Sequence, residues 1–572
     1  MERMIVMLQE WIASALEPHV PWTKQQMVDL LEIPPQPQMG DVAFPCFTLA
    51  KTFKKSPADI AKELAAQFDG RNGIQAEAAG PYVNFRLDRK RYEQQIMDEL
   101  TASDQRPNLG KGAKVLIDMS SPNIAKPMGI GHLRSTMIGA ALYNMYKLVG
   151  YDVASINHLG DWGTQFGKQI AAYKRWGNDE AIAANPIKES LKLYVQFHEE
   201  APHDETLEPE ARDWFRKLES GDEEAYRLWK YFVDVSLKEF QRMYDRLGVS
   251  FDYTLGESFY NDKMGAVVDQ LRDQHLLEES EGALVVRLDE EGMPPCLIIK
   301  TDGTTIYPTR DLATALYRHD VLKGDKLLYV VGGEQRLHFQ QVFAVLRRMG
   351  ADWVDQCEHV PFGLMRFEGK KMSTRRGKIV YLEEVLDEAV ARALQIIEEK
   401  NSSLEHKEEV AEAVGIGAII FGDLKNNRQN EVDFSLEEAL NFDGETGPYL
   451  QYTYARTQSV LSKGRAAGEP ESGTAGPAQA VNGQLGDSGW ELLKLLTRFP
   501  DQLKRGIQNN EPSVMARYAL DVAQAFNHFY NKERIVTEDS SLREARLKLT
   551  ELTGASLART MHLLGLKTPQ RM

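Results

Sequence analysis

The chain has 572 residues, with 84 acidic side chains against 68 basic ones and a formal net charge of −16. That length exceeds what one hydrophobic core organises and predicts three or four domains, on a prior of roughly 150 residues each. The acidic balance argues against indiscriminate coating of nucleic acid, a process driven by basic charge releasing counterions; local contact through patches such as Lys51, Lys54 and Lys55 stays open. Three scattered cysteines, Cys46, Cys296 and Cys357, form neither a zinc set nor a disulfide framework, so no zinc and a reducing, cytoplasmic setting are expected. No apolar run reaches the length of a membrane span, and no membrane partner is expected.

In chain order, Met4, Ile5, Leu8, Trp11, Ile12 and Leu16 recur at helical spacing, interrupted by Glu2 and Glu10, which reads as an amphipathic helix rather than a secretion signal. Residues 57–68 read as a second helix. Gly80-Pro81-Tyr82-Val83-Asn84-Phe85 reads as a turn entering an alternating strand. From Lys114 the pattern becomes α/β: Val115–Ile117 as a strand, a helix from His132 to Leu148, and a strand from Tyr151 to Asn157, which together predict a right-handed parallel crossover.

Between that first strand and helix lies Ser120-Ser-Pro-Asn123-Ile-Ala-Lys126-Pro-Met-Gly129-Ile-Gly131-His132-Leu-Arg-Ser-Thr136. A strand opening into a helix start leaves unpaired N–H groups and partial positive charge facing outward, which favours phosphate oxygens. Gly131 lets a flat ring approach the backbone, and His132 supplies a donor able to follow developing charge. Taken alone, the stretch reads equally well as a glycine-containing turn. A second glycine-rich stretch, His158 to Gly167, follows the next strand, where open α/β sheets bind ligands.

Residues about 175–295 are charged and helical and read as an insertion between two halves of one sheet. The sheet is expected to resume over 306–315 and again at Leu327–Val331, which runs into Gly332-Gly333-Glu334-Gln335. A helix over 334–349 follows. Pro308 suits a first helical turn, which would set Tyr307 and Asp311 one turn apart on one face. A carboxylate beside an aromatic ring suits a planar guanidinium; the plainer reading of Asp311 is a helix-start aspartate favoured by the dipole. Lys370-Lys371-Met372-Ser373-Thr374-Arg375-Arg376 is a basic, glycine-bounded loop. Beyond about 440 the pattern is helical, interrupted over Gly464–Gly489 by a stretch read as a mobile connection.

The segment ending Gly129-Ile-Gly-His132 resembles the first signature of class I aminoacyl-tRNA synthetases, His-Ile-Gly-His in its usual form, with Gly129 standing where the first histidine is expected. Lys371-Met-Ser-Thr-Arg375 resembles the second signature, about 240 residues further on. The flanks Ser-Pro-Asn and Leu-Arg-Ser resemble the arginyl-tRNA synthetases in particular. So do Gly40–Pro45 with the helix after it, Phe442–Ser459, Tyr518–Asn527 and the ending Leu564–Met572, so the likeness spans nearly the whole chain.

This resemblance implies an α/β fold class: a Rossmann-type parallel-sheet catalytic domain with an insertion at about 175–295, in 109–438. It further implies an N-terminal α+β added domain, 1–108, that contacts the tRNA elbow, and an all-α anticodon-binding bundle, 439–572. It implies arginine–tRNA ligase activity, with L-arginine, ATP accompanied by Mg2+, and tRNA(Arg) as partners and no tightly bound cofactor. His132, Lys371 and Lys126 are the implied catalytic residues, Lys126 and Asn123 being candidates to take over part of the role closed to Gly129. Gly129, Gly131, His132, Gly160, Asp161, Gly332, Gly333, Lys371, Met372 and Ser373 would face ATP. Ser121, Asn123, His132, Tyr307, Asp311 and Gln335 would face arginine, and Tyr449, Tyr452, Tyr454 and Arg456 the tRNA; apart from the resemblance, Asp118 at the end of the first strand adds a further candidate carboxylate to the arginine side. A protein-held metal is not expected, and a monomer is. Adenylate formation is expected to wait for tRNA. Two other classes of function stay open on the residues: a tRNA-binding paralogue without catalysis, and a small-molecule ligase using an adenylate on the same fold, which would not need the helical C-terminal third.

Overall fold

The computed structural model describes residues 7–68, 70, 73–102, 106–124, 126, 128–367, 381–466 and 485–572. Val42–Pro45 (β1), Ile74–Ala79 (β2) and Tyr82–Leu87 (β3) form an antiparallel sheet in the order β1-β3-β2. Gly80 adopts φ +60° in the tight connection between β2 and β3, a conformation glycine enters without a Cβ clash. Against this sheet packs the helix Pro57–Ala65, started by Ser56, whose hydroxyl accepts from the Asp59 N–H, and by proline in the first turn.

The central sheet holds Lys114–Asp118 (β4), Asp152–Asn157 (β5) and Tyr253–Thr254 (β6). Glu278–Ser280 (β7), Ala283–Val286 (β8) and Cys296–Ile299 (β9) form a separate antiparallel sheet. The chain then returns to the central sheet as Lys326–Tyr329 (β10) and Cys357–His359 (β11). The central five strands are all parallel, in the order β11-β10-β4-β5-β6, with Leu116 of β4 opposite Leu327 on one side and Ala154 on the other. Val115, Leu116 and Ile117 are all buried, as a parallel strand covered on both faces requires. The chain leaves β4 toward β5 and β6 and comes back on the opposite side as β10 and β11. The topological switch point therefore lies between β4 and β10, and in such sheets the ligand crevice opens there, beyond the carboxyl ends of the strands.

Three sequence expectations need correction. The stretch 306–315 is helix, Tyr307–Asp320, not strand. Proline at its start and buried Leu312, Ala313 and Ala315 at helical spacing decide this, and the sheet resumes at β10 instead. The region 175–295 is helical as far as Leu247 and again over Met264–Asp273, but it also holds strands. β6, two residues long and so without a readable alternation, belongs to the central sheet, and β7–β9 follow. Finally, both ends of the expected 464–489 connection are helical: Gly447–Ala466 runs through its start and Gly486–Leu496 through its end, while 467–484 lie outside the described residues. The initial helix is described from Met7 to Leu16.

Met365–Phe367 (β12) pairs in parallel with Val432–Phe434 (β13). Beyond β13 every element among the described residues is helical; the longest are Gly447–Ala466, Ser513–Lys532 and Ser540–Leu563. The C-terminal helices pack on helix Ile130–Leu148, which connects β4 to β5, so the bundle rests on the part of the chain that carries the central sheet.

Candidate functional site

The backbone at the end of β4 is strained. Ser120 and Ser121 hold φ of 73° and 52°, left-handed conformations that non-glycine residues keep only when their surroundings over-determine them. Here they do. The Ser120 N–H donates to Ser135 Oγ (2.9 Å), Ser135 donates to the Val330 carbonyl (2.6 Å), and Ser120 Oγ lies 2.8 Å from the Tyr244 hydroxyl. The Ser121 N–H donates to Asn157 Oδ1 (3.2 Å), and Asn157 Nδ2 donates to Tyr244 (3.1 Å). The turn is thus clamped by β5, by helix Ile130–Leu148 and by a tyrosine from helix Glu223–Leu247. Ser135 belongs to the Leu-Arg-Ser flank, but its role here was not legible in the sequence, nor were those of Asn157 and Tyr244: each lies at least 15 residues from the serine it holds.

Asn123 pairs with Gly160 through backbone bonds, Gly160 N to Pro122 O and Ile124 N to Gly160 O, both 3.1 Å. A Cβ at Gly160 would stand 2.2 Å from Asn123 Oδ1, so glycine there makes room for the asparagine side chain. Gly129 is the N-cap of helix Ile130–Leu148 in an extended conformation, φ −80°. Its N–H lies 3.1 Å from His132 Nδ1 and donates to it in the tautomer that carries the ring proton on Nε2; the Gly129 carbonyl lies 3.3 Å from the same nitrogen. Burial, outweighing the Gly129 carbonyl beside Nδ1 and joined by the positive charge of Lys126, holds the His132 imidazole below its ordinary range, so it is neutral near pH 7. A Cβ at Gly131 would meet nothing within 4 Å, which leaves the open approach that the sequence suggested.

Beside this turn sits a cluster of charge. Asp118, at the end of β4, accepts from Ser121 Oγ on one oxygen (3.0 Å) and pairs with buried Arg318 on the other (2.7 Å). Glu257 faces Arg310 at 3.5 Å. Asp311 is bonded to His338 Nε2, and burial, which alone would raise its carboxyl, is outweighed by His338, His158 and Arg318, so it stays below the usual carboxylate range. His158 feels both Asp118 and Asp311 while bonding the Leu255 carbonyl (3.0 Å). Among these carboxylates Asp311 is the one whose charge partner is an imidazole rather than a guanidinium. It keeps acceptor capacity for an incoming cation, and Tyr307, 61% exposed, stands one helical turn before it.

Asp161 uses both carboxylate oxygens on Ser258, accepting from its N–H (2.8 Å) and hydroxyl (2.6 Å), and pins the turn that carries Glu257. Gly332 and Gly333 follow β10, and Gln335 starts helix Arg336–Arg348, so all three stand at the switch point. Lys126 Nζ lies 5.0 Å over the Tyr194 ring, with burial lowering its basicity. Lys371, Met372 and Ser373 lie outside the described residues. Among those described, no set of three or more His, Cys, Asp or Glu side chains is placed to hold a metal ion, and no helix is long and apolar enough to cross a membrane.

Burial pushes the Glu257 carboxyl up to about 7, against the pull of Arg310. A carboxyl raised on folding holds its proton more tightly in the fold, so its contribution to stability is full below the unfolded value of about 4.3 and is lost as pH rises through about 7. Glu257→Gln is therefore expected to shrink the fall in urea midpoint between pH 5 and pH 8. Parallel curves for the two proteins would refute this.

The aromatic stretch of the C-terminal helices is divided by burial. Tyr449 is half-buried, its hydroxyl accepting from Asn527 Nδ2 (3.0 Å), and Tyr454 packs on the core, whereas Tyr452 is 40% exposed. Arg456 lies over the Tyr452 and Tyr530 rings at 4.9 and 5.2 Å. Tyr452, Arg456 and Tyr530 line a cavity of about 940 Å³ that also takes in His406 and Met572, whereas Tyr449 and Tyr454 are not part of its lining.

The family described as "tRNA synthetases class I (R), catalytic domain" matches residues 95–436, the span that holds the parallel sheet and the Gly-Ile-Gly-His helix start at its switch point, so the chain is a class I aminoacyl-tRNA synthetase. The arginyl-tRNA synthetase N-terminal domain matches 7–87, and the DALR anticodon-binding domain matches 450–572. The chain is 52% identical over 553 residues to arginine–tRNA ligase 2 of Bacillus anthracis, covering 96% of this chain and 97% of that one. It is 50% identical over 570 residues to arginine–tRNA ligase of Streptococcus pneumoniae, covering 99% and 100%. The solved arginyl-tRNA synthetase of Thermus thermophilus superposes with a TM-score of 0.81 at 27% identity, covering 99% of each chain. The chain belongs to the arginyl-tRNA synthetase family.

Proposed function

We infer that this chain activates L-arginine with ATP and transfers it to tRNA(Arg), releasing AMP and pyrophosphate, and that the switch-point crevice is where it does so. The observation that carries this reading is Asp311, a carboxylate held in its charged form with Tyr307 one turn away, beside the strained turn after β4. In the first step the arginine carboxylate attacks the α-phosphorus of ATP; in the second, the 3′-terminal adenosine of tRNA takes the arginyl group. No covalent enzyme intermediate is needed, so the protein contributes positioning and electrostatics.

On this reading the neutral His132 donates from Nε2 to the reacting phosphate, with Gly131 and the helix start around it. Lys371, with Met372 and Ser373, accompanies the departing pyrophosphate, and Mg2+ arrives with ATP and neutralises the remaining charge. Lys126 supplies further positive charge. Gly129, Gly160, Asp161, Gly332 and Gly333 shape the nucleotide side, and Asp118, Ser121, Asn123 and Gln335 surround the amino acid. Tyr452 and Arg456, in the lining of the cavity, meet unstacked bases, and Tyr449 and Tyr454 on the same helix support them. The division into 1–108, 109–438 and 439–572, a monomeric state, a cytoplasmic setting and the absence of zinc complete the reading. Incubating the purified chain with total tRNA, ATP and each of arginine, lysine and cysteine tests it: charging is expected with arginine alone, and no arginine charging would sink the proposal.

A further inference from the structure

Two buried arginines join the first-signature helix to the C-terminal bundle. Arg134, two residues after His132 and 1% exposed, pairs through Nε with Asp423 (2.8 Å). Its other nitrogens reach three main-chain carbonyls: Gly363 (2.5 Å) and Asn430 (2.9 Å) from one, Arg428 (3.3 Å) from the other. Gly363 immediately precedes the chain that enters β12, and the backbone of Met128 accepts from the Leu382 N–H (2.9 Å). The described chain on both sides of residues 368–380 is therefore fastened to the first signature.

Arg428 continues the connection. Its guanidinium donates to the carbonyls of Pro361 (2.6 Å), Asn510 (2.9 Å) and Asn509 (3.3 Å), and its own N–H faces Glu511. Residues 509–511 form the corner between helices Phe499–Gln508 and Ser513–Lys532. The far end of the first-signature helix meets the same corner, because Tyr146 donates to Asn510 Oδ1 (2.7 Å). Helix Ser513–Lys532 in turn carries Asn527, bonded to both Arg456 and Tyr449. If cohesion alone were needed, apolar side chains of similar volume would serve at least as well as buried charges. What the guanidinium forks add is geometry: each holds several main-chain carbonyls from separate segments in one fixed relation, which an ammonium group cannot reproduce.

Resting on the ligase reading above, we propose that Arg134 and Arg428 are positioning residues that convey tRNA occupancy of the C-terminal helices to the first signature. The connection runs from Arg456 through Asn527, the 509–511 corner and Arg428 to Arg134 and the helix of His132. Arg428→Lys in the full-length chain tests it, with arginine affinity read by calorimetry, tRNA affinity by filter retention, and arginine-dependent ATP–pyrophosphate exchange measured at saturating tRNA. Both affinities are expected to stay within about twofold while exchange falls roughly fivefold or more, inside the range that residues along a coupling route produce. A smaller fall in exchange overturns the proposal. So does a weakening of either affinity beyond that bound, since the residue would then support the fold or the binding surface only. Should Arg428→Lys lose its far-UV circular dichroism, Tyr146→Phe, which removes one hydroxyl, is read in the same way against a fall of about threefold. An unaltered chain that shows no exchange with arginine sinks the ligase reading and this proposal together, whereas normal exchange in both chains sinks this proposal alone.

Discussion

Replacing Asp311 by alanine is expected to lower kcat/KM for arginine by roughly 10²–10³-fold, chiefly through KM, because truncating one partner of a buried, hydrogen-bonded charge pair costs about 2–5 kcal/mol. Asp311 lies on helix Tyr307–Asp320, and its carboxyl is held ionised by His338 despite burial. Asp118 and Glu257 already face Arg318 and Arg310, so they offer a substrate guanidinium less. Asp311→Asn separates charge from shape: it keeps a planar acceptor and is expected to lose most of the same factor if ion pairing dominates. Steady-state charging at varied arginine, with tRNA and ATP saturating, provides the measurement. A fall of less than about tenfold in the alanine variant would remove Asp311 from the arginine site.

The prediction draws on a site that was only partly legible in the sequence. The strand Val115–Ile117, the helix after it and the glycines at 160 and 332–333 stood out because α/β order and turn chemistry are local signals, and the sheet order puts them at one switch point. What escaped were side chains whose meaning depends on a distant partner. Tyr244 is buried on an amphipathic helix and reads as core until Ser120 and Asn157 are seen against it. Arg318 looks like a helix-end basic residue, yet it is buried against Asp118, 200 positions earlier. Arg134 belongs to the quoted signature flank, but its link to Asp423 crosses 289 positions, beyond any spacing rule. The strand expected at 306–315 failed because its apolar residues suit a short buried strand as well as a helix, and Pro308 together with buried spacing settles the choice. Gly129 changed meaning too: the structure gives it a specific task as the N-cap whose N–H engages His132.

Arg318→Met is expected to cost about 3–5 kcal/mol of stability, because it strands the Asp118 carboxylate without its counter-charge in a site closed to water. The side chains of this pair are 2% and 8% exposed. Adding Asp118→Asn should restore much of that loss, since exchanging a buried pair for neutral groups of similar volume is often close to neutral, whereas breaking it from one side is not. Urea unfolding of the two single variants and the double variant closes the cycle. A single Arg318→Met loss below about 1 kcal/mol would mean that Asp118 finds water or another partner, and that the pair does not hold the end of β4. The cycle also bears on function, because Arg318 sits two turns beyond Asp311 on the same helix. If the pair locks that helix to β4, the stability-restored double variant should still show a raised KM for arginine. Stability and substrate placement then separate: the charge-free pair recovers the first, and only the ionic contact fixes the second.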